Sequence, residues 1–415
     1  MSPARAPTTR LTGLDGLRAL AATTVLTYHV VLFSRFAFAG RFAAPLWELK
    51  GGVAIFFVIS GAVLYLPFAR AIRDREPLPD WRAYAGRRVA RIVPAYWLAL
   101  TVFALGPFAA GVVGPRVLSY YGLSQIYSSS TLFTGLGVAW SLCVEVSFYA
   151  LLPLFAYGAS RLSRRRGPRV QVALIALAGL SSIILRSALS GSLTAPIANR
   201  GLTLSVALPG FLDWFAIGVG LAVFVAAREA DLDCPRALVA LGGRPRWCLV
   251  LALLAFGLGT PFQHGDMFLP WYGLLTHVAL GVGSGFLVLA AIAPDRGPRP
   301  SLWVRVLRGS VLTWVGTISY GIYLWHLVVL ELISREPHAR TFIGVLLLWL
   351  AVLGGAIVLG AASWYLVERP VQHALRRANG ARGARARGRM TEVDVSVQST
   401  LDPLNSSGVP VDHLA

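Results

Sequence analysis

This chain has one lysine, three cysteines and few charges of any kind. Charged residues occupy 14% of its 415 positions, against about 25% in soluble domains, too few for a polar surface on a chain this long. Cys143, Cys234 and Cys248 form neither a paired framework nor a metal-ligand spacing, and read as reduced packing residues. The signatures of common soluble enzymes are missing too: there is no P-loop, no H-E-x-x-H and no G-x-S-x-G. GVGSG (281–285) and GVG (218–220) lie inside apolar runs, where glycines serve close helix packing rather than phosphate loops.

What the chain does have is apolar length. Hydrophobic residues make up 56% of it and mean hydropathy is +0.64. Ten stretches can each cross a bilayer: 16–34, 52–68, 90–113, 138–157, 170–188, 204–227, 247–262, 271–293, 311–333 and 342–366. The seventh is the shortest and weakest. These runs predict an all-α polytopic membrane protein with about ten transmembrane helices.

The net charge of +19 suggests nucleic acid until its distribution is read. Of the 38 basic residues 37 are Arg, and they cluster in short loops between apolar runs. With the N-terminus inside, the cytoplasmic segments hold 30 of them and the outer segments 8. That bias sets topology and predicts an even number of spans with both termini cytoplasmic; no nucleic-acid partner is expected. The heavy use of Arg in place of Lys suggests a GC-rich bacterial gene and a place in the bacterial cytoplasmic (inner) membrane. A secretory signal cleaved near AFAG (37–40) competes for the first span, but Asp15 and Arg18 at its start favour a retained helix. Residues 1–376 are expected to form the transmembrane domain, and 377–415 a disordered polar and basic cytoplasmic tail.

Helical rise places the ionisable residues in depth. His29, Ser141, Glu145, His326, His277 and Asp213 fall in the outer half, between roughly 5 and 13 Å below the surface. Asp15, Arg18, Arg87, Arg88, Arg91 and Glu368 form a second layer at the inner face. Arg18 and His29 are eleven residues apart, so they share a face of the first helix. Ionisable groups inside a membrane are functional by default. A histidine beside a carboxylate can take a proton from an attacking hydroxyl, and an arginine cluster can hold phosphates.

Seven segments carry a family resemblance: LDGLRALAATTVLTYHV (14–30), GGVAIFFVISGAVLYLPF (51–68), RRVARIVPAYW (87–97), WSLCVEVSFYALLPLF (140–155), FLDWFAIGVGLA (211–222), ISYGIYLWHLVVL (318–330) and WYLVERPV (364–371). In this order, from about 11 to 376, they resemble the acyltransferase-3 integral-membrane O-acyltransferases. The resemblance implies transfer of an acyl group, acetyl or another short one, from acyl-CoA as donor substrate. The acceptor it implies is a hydroxyl of a carbohydrate, a glycolipid or a macrolide-like metabolite. It implies catalytic roles for His29, as general base or acyl relay, and for Glu145, Ser141 and His326, with Glu145 assisting His29; it implies donor binding by Arg87, Arg88 and Arg91, which Arg18 joins from the helix face it shares with His29. No metal or permanently bound cofactor is implied; membrane lipids are the surroundings. One departure stands out: many members place an acidic or polar residue two before Phe-Phe in the second span, where this chain has Ala54.

Each residue also has a plain structural reading. The arginines can be topology anchors, His277 and Asp213 a hydrogen bond between helices, and Glu368 a surface partner for Arg369. YYGLSQIYSSST (120–131) reads as an outer loop whose tyrosines could stack on a sugar or simply sit at the interface. From another class, a proton-coupled or glycan transporter would use the same His/Glu layer as a relay.

Overall fold

The computed structural model describes residues 13–34, 46, 48–106, 112, 114–128, 130–190, 204–259, 270–292, 301–333 and 341–379. Among the described residues there is no strand. The main helices are α1 (Gly13–Phe33), α2 (Gly52–Arg73), α3 (Trp81–Leu105), α4 (Ala139–Arg166) and α5 (Arg169–Ser190). They continue with α6 (Leu212–Glu229), α7 (Pro245–Gly259), α8 (Pro270–Ile292), α9 (Ser310–Ile333) and α10 (Phe342–Ser363). Nine of the described helices are long and apolar enough to cross a membrane. The tenth crossing exists if α7 and the short helix Arg236–Gly242 count as one span bent by 102°. That is the seventh stretch, weakest in the sequence, and Gly242, Gly243 and Pro245 at its bend explain the break. The protein is a multi-pass all-α membrane protein.

Local chemistry sets several helix ends. The Asp80 carboxylate accepts from the backbone N–H groups of Arg82 and Ala83 and starts α3. The Thr341 hydroxyl does the same for α10, accepting from Gly344 at 3.1 Å. Beyond Ser363 the chain passes through a π-helical turn, Trp364–Glu368, before helix resumes. The expected tail lies largely outside the described residues, as does AFAG.

The bundle is built around α2, whose most apolar window is 83% buried, while α5 and α10 bury 11% and turn apolar side chains outward. An outward face of this kind suits lipid, not water. The most extensive contact of α2 is with α6, and two glycines allow it. A Cβ on Gly218 would stand 2.1 Å from the Val58 carbonyl oxygen, and one on Gly61 2.4 Å from that of Phe215. The two backbones touch with nothing between them.

Ion pairs and backbone contacts gather the arginine-bearing helix ends on one side. Arg70 donates to both oxygens of Glu229 at 2.8 and 2.6 Å, joining the ends of α2 and α6. Arg73 reaches the Ala226 carbonyl. Arg164 at the end of α4 donates to the Arg75 carbonyl at 3.1 Å, and Arg91 of α3 lies 5.6 Å above the Trp364 ring. These contacts bring Arg70, Arg73, Arg91 and Arg164 to one end of the bundle.

Gly61→Val is expected to destabilise the protein by about 1–3 kcal/mol, the usual cost of forcing a side chain into a closed contact. Thermal denaturation of the detergent-purified variant checks this; an unshifted melting temperature would mean that α2 and α6 do not meet at this point.

Candidate active site

Five helices, α1, α2, α3, α4 and α9, line a cavity that is partly open to the outside. α2 presents Val53, Phe56, Phe57, Ser60 and Leu64, one stripe along its length. α4 adds Ser141, Leu142, Glu145 and Tyr149, again at helical spacing. Arg18, Arg88 and Arg91 line the end where the arginine-bearing helix termini meet. At the opposite end the lining is apolar, closed by Phe56, Phe57 and Leu142 beside the hydroxyls of Ser141 and Tyr323.

Glu145 is the central polar group. Its Oε1 accepts a very short hydrogen bond from Ser60 and another, 2.6 Å long, from the Tyr149 hydroxyl one turn on. Two donors from two helices stabilise a carboxylate that would otherwise be costly to bury. The Arg88 guanidinium lies 6.0 Å above the Tyr149 ring, and its Nε is buried without a hydrogen-bond partner among the described residues. Arg18 is held by Asp15 at 3.2 Å. Arg18 has Asp15 beside it and Arg91 has the Glu368 carboxylate near it, so Arg88, whose Nε lacks a partner among the described residues, is the guanidinium that an anion such as a phosphate would satisfy.

The histidines form a separate pair. Nδ1 of His29 lies 2.9 Å from the Val25 carbonyl oxygen and 3.2 Å from Nε2 of His326. Nδ1 of His326 lies 3.2 Å from the Ile322 carbonyl oxygen. A carbonyl can only accept, so both Nδ1 atoms carry a proton when the rings are neutral. His326 Nε2 then accepts from His29, and His29 Nε2 keeps its lone pair for another partner. His326 is fully buried, with its ring 5.9 Å from that of Tyr323. Tyr323 and Ser141 share a 2.6 Å hydrogen bond and stand within reach of the Val138 carbonyl, at 3.1 and 3.2 Å. This hydroxyl pair links the cavity's apolar end to the histidines.

Of the residues singled out in the sequence, Arg18, Arg88, Arg91, Ser141 and Glu145 line the cavity, and His29 and His326 meet beyond it. Arg87 is exposed, one position round the helix from Arg88. The expected pairing of Glu145 with His29 gives way to Glu145 with Ser60 and Tyr149, and His29 with His326. Ala54 is fully buried and adds no polar group. Ser60, Tyr149 and Tyr323 complete the network; Tyr323 shares a helix stripe with His326 that the sequence shows, and Tyr149 could have been found from its i+4 spacing to Glu145.

Three further readings are settled by contacts. His277 does bond Asp213 between helices, at 2.9 and 3.0 Å, with Ser182 donating to the same carboxylate at 2.9 Å. Glu368 is buried and 3.5 Å from the Ser363 hydroxyl, while Arg369 lies 5.9 Å above Tyr365, so the expected surface pair gives way. The segment 120–131 is displayed in part: Tyr127, Ser128 and Ser130 are exposed, while Tyr120, Gln125 and Ile126 are buried. Tyr120 is buried with its hydroxyl 2.6 Å from Thr134, its carbonyl accepts from Tyr96 at 2.7 Å, and Tyr127 reaches Ser147 within α4 at 2.5 Å.

The model of the acyltransferase-3 family, an acyltransferase domain, matches residues 11–367, and the chain belongs to that family. It is similar to YrhL of Bacillus subtilis, a candidate peptidoglycan O-acetyltransferase, with 27% identity over 87% of this chain and 54% of that protein. It is similar to the peptidoglycan O-acetyltransferase OatA of Listeria monocytogenes, with 25% identity over 86% of this chain and 55% of that one. The exopolysaccharide production protein ExoZ of Rhizobium meliloti is 28% identical over 80% of this chain and 91% of its own length. The chain spans about half the length of the first two relatives. No solved structure matches it. Membership favours an acyltransferase over the transporter.

Ser60→Ala and Tyr149→Phe are each expected to lower stability by about 1.5–3 kcal/mol, the usual worth of a hydrogen bond to a charged group. Because both donors serve one oxygen, the double variant should depart from the sum by about 0.5 kcal/mol or more. Additive losses in thermal denaturation would mean that the two hydroxyls do not share Glu145.

Proposed function

We propose that this chain is a membrane-embedded O-acyltransferase that takes a short acyl group from acyl-CoA and transfers it to a hydroxyl of a carbohydrate or glycosylated acceptor. The observation that carries this is the polarity of the cavity, with three guanidiniums at one end and an apolar end against the Ser141–Tyr323 hydroxyls. A ligand with a phosphate-bearing head and a small apolar tip matches that polarity. The arginine end faces the cytoplasm on this reading, as the loop arginines suggest, and admits the donor from there. The names of the relatives, two for peptidoglycan and one for exopolysaccharide, support a glycan acceptor.

The proposed reaction uses the hydrogen bonds of the histidine pair as follows. The acceptor oxygen attacks the thioester carbonyl, forming a C–O bond while the C–S bond breaks. His29 Nε2 takes the hydroxyl proton and returns it to the departing thiolate, so the products are an ester and free CoA. His326 acts through His29: by accepting from Nδ1 it keeps the lone pair on Nε2. Arg88, Arg91 and Arg18 hold the donor's phosphates, and Glu145, tied to Ser60 and Tyr149, fixes the space between.

In membranes supplied with acetyl-CoA and a glycan acceptor, His29→Gln is expected to reduce free-CoA release at least about 100-fold, the lower range for loss of a general base. Arg88→Gln should instead raise KM for acetyl-CoA about tenfold, as loss of one charge-assisted contact does. Equal turnover in wild type and His29→Gln would remove the histidine from the chemistry; an unchanged KM in Arg88→Gln would remove the phosphate site.

A further inference from the structure

The apolar end of the cavity has a floor, and its construction bears on the acyl group. Phe57 lines the cavity yet is only 1% exposed. Behind it Phe215 of α6 stacks at 4.6 Å and 18°, and Phe148 of α4 stacks on Phe215 at 4.0 Å and 16°. Phe211 meets Phe57 edge-on at 5.5 Å, and Trp214 lies 6.0 Å away. Trp214 is itself fixed: its Nε1 donates to the His277 carbonyl at 3.0 Å and its ring stacks on the His277 ring at 4.4 Å. The His277–Asp213 pair, unused by the proposed chemistry, anchors this buttress. On the facing side Phe56 stands edge-on to Tyr323 at 5.9 Å, and Leu142 completes the wall.

Along α2, Phe57 lies seven residues from Leu64, roughly 10 Å of helical rise, and Val53 continues the lining one turn beyond it. A phosphate-headed donor laid along this stripe from the guanidinium end brings its far portion against Phe57. A ring packed on every side cannot rotate away, and each added methylene meets overpacking instead of space.

We infer that Phe57, held by the Phe215–Phe148 stack and the His277-anchored Trp214, is a specificity-determining residue that limits the transferred acyl group to short chains. This rests on the acyl-CoA reading above.

The test is kcat/KM for acetyl-, butyryl- and octanoyl-CoA in membranes bearing the full chain, with Phe57→Leu and His277→Asn beside wild type. Wild type is expected to prefer acetyl-CoA. Phe57→Leu should raise the butyryl-to-acetyl ratio by about tenfold or more, the usual weight of chain length in an apolar pocket. His277→Asn, which touches no lining residue, should move the ratio the same way; loss of bundle stability alone would leave the ratio fixed. Should Phe57→Leu fail to fold, Leu142→Ala opens the same end from the facing helix and reads the same ratio. A smaller rise in the folded Phe57 or Leu142 variant overturns the inference. So does a wild type that prefers octanoyl-CoA, although the donor reading then survives. Turnover of no acyl-CoA by wild type overturns both.

Discussion

A carboxylate held in the middle of a helix bundle is the constraint on which the cavity depends. Glu145 is tolerated there because Ser60 and Tyr149 both donate to one of its oxygens. Its charge in turn offsets part of the repulsion among Arg18, Arg88 and Arg91, which would otherwise be costly to gather around one space. The balance is incomplete: guanidiniums outnumber the carboxylate in the lining, and Arg88 keeps an unpartnered nitrogen. Because Glu145 is committed to its hydroxyl donors, the first-helix histidine must find its partner elsewhere.

That partner being another imidazole has consequences. A histidine bonded to a carboxylate would be drawn toward its protonated form and would hold its charge before any substrate arrived. In the His29–His326 pair each Nδ1 is fixed by a carbonyl of its own helix, and neither ring needs a charge to complete its hydrogen bonds. The resting pair can stay neutral in an apolar setting, and a proton taken during reaction is held only briefly. The Ser141–Tyr323 hydroxyls between this pair and the cavity favour the same economy of charge.

How much of this was legible in the sequence depended on whether a feature is a sum or a contact. The arginine alternation adds over 38 basic residues, so a few misplaced boundaries could not hide it. Depth was legible for the same reason: rise along a helix is fixed, and His29 and His326, like His277 and Asp213, were assigned similar levels and do meet. Rotation about the helix axis and the choice of neighbour were not legible. Nothing in the spacing says that Glu145 turns to Ser60 on α2, or that Arg87 faces outward while Arg88 faces in. The segment 120–131 was legible only in part: its composition marks an interfacial loop, and Tyr127 is exposed. The burial of Tyr120 depends on Tyr96 and Thr134, which lie far from it along the chain or beyond the segment's end.

Packing and chemistry are joined most closely where α2 meets α6. Gly61 follows Ser60 directly and lies four residues from Phe57, while Gly218 lies three from Phe215. The close approach at these glycines therefore sets two distances at once: the stacking of Phe57 on Phe215, and the reach of Ser60 across to Glu145. If α2 moved outward by the width of a methyl group, the aromatic floor would loosen and the carboxylate would lose a donor. Selection for a tightly packed bundle and selection for a shaped, charged cavity then act on the same backbone contact. The glycines of ISGAV and AIGVG, the second of which reads in the sequence as helix packing, are for that reason part of the site.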